Sequence, residues 1–283
     1  MKYLVLGASG QLGGDVADAA LRRGDSVTAV GHAECDITDP AAVRAALEAS
    51  GAQAVINCAA WTRVDAAEDH EAEAEAVNAT GAGIVAGECA AASVRLCHMS
   101  TDYVFDGTAT APIDEDAVPN PRSAYGRTKL HGEEAVRAAC PDHLIVRASW
   151  LYGRNGPNFV LTMLRLASER PEVRVVDDQR GAPTWSGHLA PAVLRLTEIA
   201  PPGTYHLCNT GVTTWHGLAL AAIRGRGLTT DVVPITTADY PTPAKRPAYS
   251  VLDNRRWREL GEPPLPSWQE GLTAYLNELA AGR

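Results

Sequence analysis

The chain has 283 residues, 46% hydrophobic and 21% charged, a balance that excludes a mostly disordered polypeptide and leaves enough apolar volume for a substantial core. Lys and Arg number 25 against 34 Asp and Glu, for a formal charge of −9, a surface that repels nucleic acid and anionic lipid. No apolar run approaches the roughly 20 residues that span a bilayer, and the N-terminal apolar segment stops at Gly7 without the features of a secretory signal, so a cytoplasmic protein is expected.

In chain order, Lys2 to Leu6 reads as a buried strand that ends in a glycine-rich turn, and Leu12 to Arg23 as a helix with Val16, Ala19 and Ala20 on one face. Gly24-Asp25 breaks it, and Ser26 to Val30 reads as a second strand. Pro40 to Ser50 reads as a helix opened by the cap-like Asp36-Ile37-Thr38-Asp39. Ala54 to Cys58 is then a strand, Glu68 to Ala92 a helical region and Arg95 to Met99 a strand. Ser123 to Ala139 follows as a helix and Leu144 to Ala148 as a strand. This alternation predicts an α/β fold, a doubly wound parallel sheet with ligands bound at the carboxyl ends of its strands. After about residue 150 the rhythm loosens. Val173 to Val176 and Tyr205 to Leu207 still read as strands, and Asn158 to Glu169, Trp215 to Arg224 and Trp268 to Leu279 as helices.

Gly7-Ala8-Ser9-Gly10-Gln11-Leu12-Gly13 follows the first strand and opens a helix. Glycines at these positions permit a tight turn and close approach of the backbone to a pyrophosphate, while the helix amides face the anion. The predicted organisation is therefore a Rossmann-type dinucleotide-binding domain over residues 1–150, with final strands from about 175–215, and a smaller, interleaved substrate-binding lobe over 151–283. At the end of the second strand Gly31 and His32 stand where an NAD site commonly places an acidic residue. That favours NADPH, with NADH also possible.

Tyr125-Gly126-Arg127-Thr128-Lys129 puts a phenol and an ammonium four residues apart on one helical face. A neighbouring ammonium stabilises phenolate, so the pair is expected to handle a proton near neutral pH. Just after the strand ending at Met99 comes Ser100-Thr101-Asp102-Tyr103-Val104-Phe105-Asp106-Gly107, where the Thr101 hydroxyl is placed to hold a substrate carbonyl. Six scattered cysteines without a C-x-x-C pair read as free thiols rather than zinc ligands or a disulfide framework. The eight histidines lack metal-site spacing, and Gly7-Ala8-Ser9-Gly10 lacks the G-x-S-x-G spacing of a hydrolase elbow.

These segments resemble the extended short-chain dehydrogenase/reductase superfamily and, within it, the dTDP-4-dehydrorhamnose reductase family. The resemblance extends to Asn57-Cys58-Ala59-Ala60-Trp61-Thr62, Val64-Asp65, Arg147 to Gly153, Asp178 to Thr184, Tyr240 to Pro243 and Arg246 to Asp253, nearly the whole chain. It implies NADPH-dependent reduction of dTDP-4-dehydro-6-deoxy-L-mannose to dTDP-L-rhamnose. Tyr125 would be the proton donor, Lys129 the ribose ligand and Thr101 the carbonyl-polarising group. It further implies coenzyme contacts from Gly7, Gly10, Gln11, Leu12, Asp36, Ile37, Ala59, Ala60 and Asn78, besides Tyr125 and Lys129. Thr62, Val64, Asp102, Tyr103 and Trp150 would meet the sugar. An acidic protein that binds an anionic nucleotide sugar must concentrate cations locally, and Lys245 and Arg246 are the residues expected to do so.

The chain departs from the family pattern in two respects. Gly187 falls where some relatives carry an acidic ligand for a magnesium-linked dimer, so no structural metal is expected, although a homodimer is possible. Trp61 and Arg63 are bulkier than is common there and bear on which sugar is accepted. The competing readings are a reductase of another dTDP-4-keto-6-deoxysugar and a non-catalytic NADP-binding regulatory subunit.

Overall fold

In the computed structural model, which describes residues 1–282, the first half of the chain follows the predicted alternation. Strands β1 (Lys2–Leu6), β2 (Ser26–Val30), β3 (Ala54–Asn57), β4 (Arg95–Thr101) and β5 (His143–Ala148) join Gly203–His206 in one sheet. The spatial order is Gly203–His206, β5, β4, β3, β1, β2, and every pairing is parallel. The order reverses between β1 and β3, and a crevice for a ligand opens at such a switch point.

The strands are apolar throughout because both faces are covered. Alternate β1 side chains point to opposite faces. Tyr3 and Val5 join a core completed by helix α1 (Gln11–Arg22) and helix Ser186–Ile199, through Val16, Ala20, Leu189 and Val193. Leu4 and Leu6 join a second core completed by α2 (Pro40–Ser50), Ala82–Ala91 and Ala124–Ala139, through Val43, Leu47, Val85 and Val136.

The second half departs from the reading at several elements. Helix Ser186–Ile199 was not expected there, because Pro191 interrupts its pattern. Strand Asp231–Ile235, which contains Pro234, was likewise not foreseen. It pairs in parallel with Glu172–Val176 to make a separate two-stranded sheet, so of the two strands read in this half only the one at Gly203–His206 enters the main sheet. The helical region after Glu68 is also broken: Ala76–Gly81 is a π-helical turn between Glu71–Glu75 and Ala82–Ala91. That turn carries the Asn78 carbonyl so close to the Ala124–Ala139 helix that a Cβ at Gly132 would lie 2.0 Å from it.

Candidate active-site cleft

A cleft of about 710 Å³ runs along the carboxyl ends of β1 to β5, the size range of a small-molecule site. Its floor is the glycine turn. Gly7 has φ +74°, and a Cβ there would lie 2.6 Å from the Ala59 amide nitrogen; a Cβ on Gly13 would lie 2.3 Å from the Gly7 carbonyl oxygen. These two glycines let strand ends and helix pack together. Gly10 differs: a Cβ there would meet only the Gly7 oxygen within 4 Å, so its face is open. Gly10 caps α1 without a side-chain hydrogen bond, which leaves first-turn amides free for an anion. The turn therefore fits a dinucleotide pyrophosphate.

Gly7, Gly10, Gln11, Leu12, Asp36, Ile37, Ala59 and Ala60 all line this cleft. The Gln11 side chain is committed elsewhere, donating to the Pro157 carbonyl at 2.7 Å. Asp36 Oδ1 accepts from the Thr38 amide and hydroxyl at 2.9 and 2.8 Å, and those bonds hold its carboxyl below the usual range. Asn78 does not line the cleft. It is buried, its Oδ1 accepts from Trp61 N at 2.9 Å, and its amide donates to Thr128 Oγ1 at 3.0 Å, so it holds the Trp61 loop from behind. At the corner after β2 His32 lines the cleft, while the Glu34 carboxylate, which does not, turns back and accepts from Gly31 N through Oε2 at 2.9 Å.

At the other end stand Thr101, Asp102, Tyr103, Tyr125 and Lys129, with Thr62, Val64 and Trp150 across from them. Ser123 caps the helix that carries Tyr125 and Lys129, its hydroxyl accepting from Gly126 N at 3.1 Å. Gly126 is required because a Cβ there would lie 2.2 Å from the Tyr103 carbonyl oxygen. Tyr103 packs edge-on against Tyr125, ring centres 5.4 Å apart.

The expected acidification of the phenol does not occur. Burial pushes Tyr125 up to about 12, a hydrogen bond with Thr101 pulls it down and the Asp102 charge pushes it up; Lys129 is not among the groups that shift it. Tyr125 is therefore a neutral phenol, a proton donor. Lys129 is itself buried, and burial lowers it to about 8. Thr101 is less free than its position suggests, since its hydroxyl donates to Asp102 Oδ1 at 3.1 Å and accepts from Tyr103 N at 3.2 Å.

Asp102 is 2% exposed, and its Oδ2 has no hydrogen-bond partner. Burial pushes its carboxyl up to about 6, against the pull of the Ser250 and Thr101 hydroxyls and nearby amides. The folded chain thus holds this proton more tightly than an unfolded chain, where the carboxyl titrates near 3.9. The resulting stability is complete below about pH 4 and is lost as the pH rises through 6, to the extent of about 3 kcal/mol. Asp102→Asn is expected to raise the unfolding midpoint at pH 8 and to leave it unchanged at pH 4, as read by thermal denaturation at the two values.

Trp150 has φ +47°, in the left-handed region that side chains rarely adopt. Three contacts hold it. Its ring stacks on Trp215 at 3.6 Å and 4°, its indole N–H donates to Ser250 Oγ at 3.1 Å, and Gly181 leaves it room. Trp215, which also lines the cleft, had no sequence signal beyond opening a helix. The Trp61–Arg63 loop is fixed by the Arg63 guanidinium lying 4.3 Å over the Trp61 ring.

Neither expected phosphate cation lines the cleft. Lys245 is exposed, and Arg246 is bound by both its terminal nitrogens to Asp65, at 2.9 and 2.8 Å. Among the described residues no group of three or more His, Cys, Asp and Glu side chains is arranged to hold a metal ion.

The sheet, its crevice and the Tyr125–Lys129 pair define a member of the extended short-chain dehydrogenase/reductase superfamily. Residues 1–281 match the family model described as the RmlD substrate binding domain, and the chain belongs to that family, the dTDP-4-dehydrorhamnose reductases. It is 47% identical to a dTDP-4-dehydrorhamnose reductase of Streptomyces griseus, over 100% of this chain and 96% of that protein. It is 44% identical to a dTDP-4-keto-6-deoxy-D-glucose reductase of Streptomyces niveus, over 96% of this chain and 95% of that protein. The crystal structure of a dTDP-4-dehydrorhamnose reductase from Bacillus anthracis str. Ames in complex with NADP matches with a TM-score of 0.95 at 36% identity, covering 98% of this chain and 100% of that one.

Proposed function

We propose that this chain reduces the 4-keto group of dTDP-4-dehydro-6-deoxy-L-mannose, forming dTDP-L-rhamnose, with NADPH as the preferred coenzyme and NADH as a possible one. The observation that carries the reading is the meeting of Thr101, Tyr125 and Lys129 in the same cleft as the glycine turn, in a chain similar over its full length to named reductases of this sugar.

In this reading the pyrophosphate rests on Gly10, Gln11 and Leu12, with Gly7 shaping the turn beneath them. Asp36 and Ile37 take the adenosine end, Ala59 and Ala60 the middle, and Lys129 the nicotinamide ribose. When bound, the reduced nicotinamide supplies hydride to the ketone carbon. Tyr125, protonated throughout the working pH range, gives its phenolic proton to the oxygen on which negative charge develops. Thr101 aligns that oxygen, and its own proton must leave Asp102 to do so. Thr62, Val64, Asp102, Tyr103 and Trp150 border the sugar. Arg246 meets the diphosphate only by sharing its charge with Asp65, and Lys245 adds a second cation from the same segment. The same reading places the protein in the cytoplasm and is compatible with a homodimer; no helix among the described residues is long and apolar enough to cross a membrane.

The test is coenzyme oxidation by the purified protein, with dTDP-4-dehydrorhamnose and other dTDP-4-keto-6-deoxysugars offered in parallel, and the product identified by NMR. Oxidation of NADPH with formation of dTDP-L-rhamnose is expected. The Streptomyces niveus relative motivates the parallel sugars. Turnover confined to one of them would move the assignment there, and no turnover with any would leave the regulatory reading.

A further inference from the structure

Lys129 meets a buried histidine in an arrangement whose protons can be assigned. Asn57 and His98 are register partners on β3 and β4, 0% and 1% exposed. Asn57 Oδ1 accepts from the Ala59 amide at 3.1 Å. A backbone N–H can only donate, so the oxygen of Asn57 must face Ala59, and its amide nitrogen must face His98 Nδ1, 3.2 Å away. That nitrogen is a donor, so His98 Nδ1 is the acceptor. His98 is neutral, because burial first and the Lys129 charge second hold its pKa well below the usual histidine range. A neutral ring with an accepting Nδ1 carries its hydrogen on Nε2. This N–H is aimed at Lys129 Nζ, 3.4 Å away.

An ammonium gains nothing from a donor pointed at it, whereas the lone pair of a neutral amine does. Among the described residues the one acceptor bonded to Nζ is the Met99 carbonyl, at 2.7 Å. We propose that His98, oriented by Asn57, is a positioning residue that governs whether Lys129 carries its charge. Its Nε2–H favours the bare amine, and a ligand that presents acceptors in the cleft draws the proton onto Lys129. The inference rests on the coenzyme reading above, in which ribose hydroxyls are those acceptors.

The other groups around Lys129 oppose or complete this balance. Just past β3, the Cys58 thiol is pushed far up by burial and stays neutral, so it brings no charge to Lys129. From its own helix Glu133 acts upward, though its charge is shared with Arg147 on β5 and with Arg137. Tyr125, one turn earlier, is a neutral phenol. Burial outweighs the upward pull and leaves Lys129 near 8, where a single misdirected or well-directed hydrogen bond decides its state.

The test begins with the nitrogen-15 NMR spectrum of the free protein, the His98 signals being identified by their loss in His98→Gln. Nδ1 is expected as a bare nitrogen and Nε2 as a protonated one; a protonated Nδ1 overturns the proposal. Asn57→Asp then replaces the donor by a carboxylate, which still accepts from Ala59 but calls the ring proton to Nδ1 and turns the Nε2 lone pair towards Lys129. The affinity for NADPH, measured by fluorescence titration, is expected to weaken above about pH 8 in the wild type. That alkaline limb should move up by about one pH unit in Asn57→Asp, and in the same direction in His98→Gln. A limb that stays in place or moves down in both variants overturns the proposal. Absence of keto-sugar turnover would defeat the functional assignment but would leave the tautomer and the binding limb as they are.

Discussion

Tyr125→Phe is expected to lower kcat by about a thousandfold, within the range that a positioned general acid supplies, while the KM for NADPH stays within about a factor of two. The phenol differs from phenylalanine by the one atom that carries the transferable proton. Its ring contacts with Tyr103 persist in the variant, so folding is preserved. Steady-state kinetics with the keto sugar check the result, and full turnover by the variant would remove Tyr125 from the chemistry. Because burial pushes Tyr125 up to about 12, no ionisation of this phenol should appear in the rate profile between about pH 6 and 9.

The largest effect on stability is expected from Arg147→Met. Arg147 is 2% exposed and Glu133 0%, and the guanidinium reaches both carboxylate oxygens, at 2.8 and 2.6 Å. Burial alone would push Glu133 up, but the Arg147 hydrogen bonds and charge, with Ser100 and Arg137, hold it below the usual glutamate range. Removing the arginine leaves a buried carboxylate with Ser100 and the half-exposed Arg137, at a cost of about 3–5 kcal/mol in denaturant unfolding. Adding Glu133→Gln should recover a large part of the loss, because the uncompensated charge is then gone. A loss below about 1 kcal/mol would show that Arg137 alone balances Glu133. Glu133 is lowered on folding, so its contribution is present above its unfolded pKa and is lost as the pH falls through its folded one; the variant and the wild type should converge in acid.

The sheet was legible because its strands are continuous apolar runs separated by helices of regular spacing, and Leu4, Val55 and Ile145 carry that signal without competition. The missed helix Ser186–Ile199 and strand Asp231–Ile235 each contain a proline, Pro191 and Pro234, whose local preference opposes the element that tertiary packing imposes. In the cleft, the four-residue interval of Tyr125 and Lys129 predicts a shared face, and the two do share the cleft. The interval says nothing of what each group bonds. Lys129 finds Met99 O and His98, the latter from a strand far away in the chain, and burial rather than the ammonium decides the state of the phenol. Asn78 and Arg246 were read as ligand contacts, yet their polar atoms are engaged with Trp61, Thr128 and Asp65. Polar residues of a motif hold loops as readily as they hold ligands, and spacing in the sequence does not distinguish the two.

The entry of Gly203–His206 into the main sheet, and of helix Ser186–Ile199 into its α1-side core, has an architectural consequence. A polypeptide ended near residue 150 would expose the hydrogen-bonding rim of β5 and uncover the apolar surface that Leu189, Val193 and Leu196 now shield. The two halves of this protein are thus not interchangeable modules. Any chimaera meant to trade sugar preference between relatives has to graft the loops between the elements and leave the segment from Ser186 to His206 with the host.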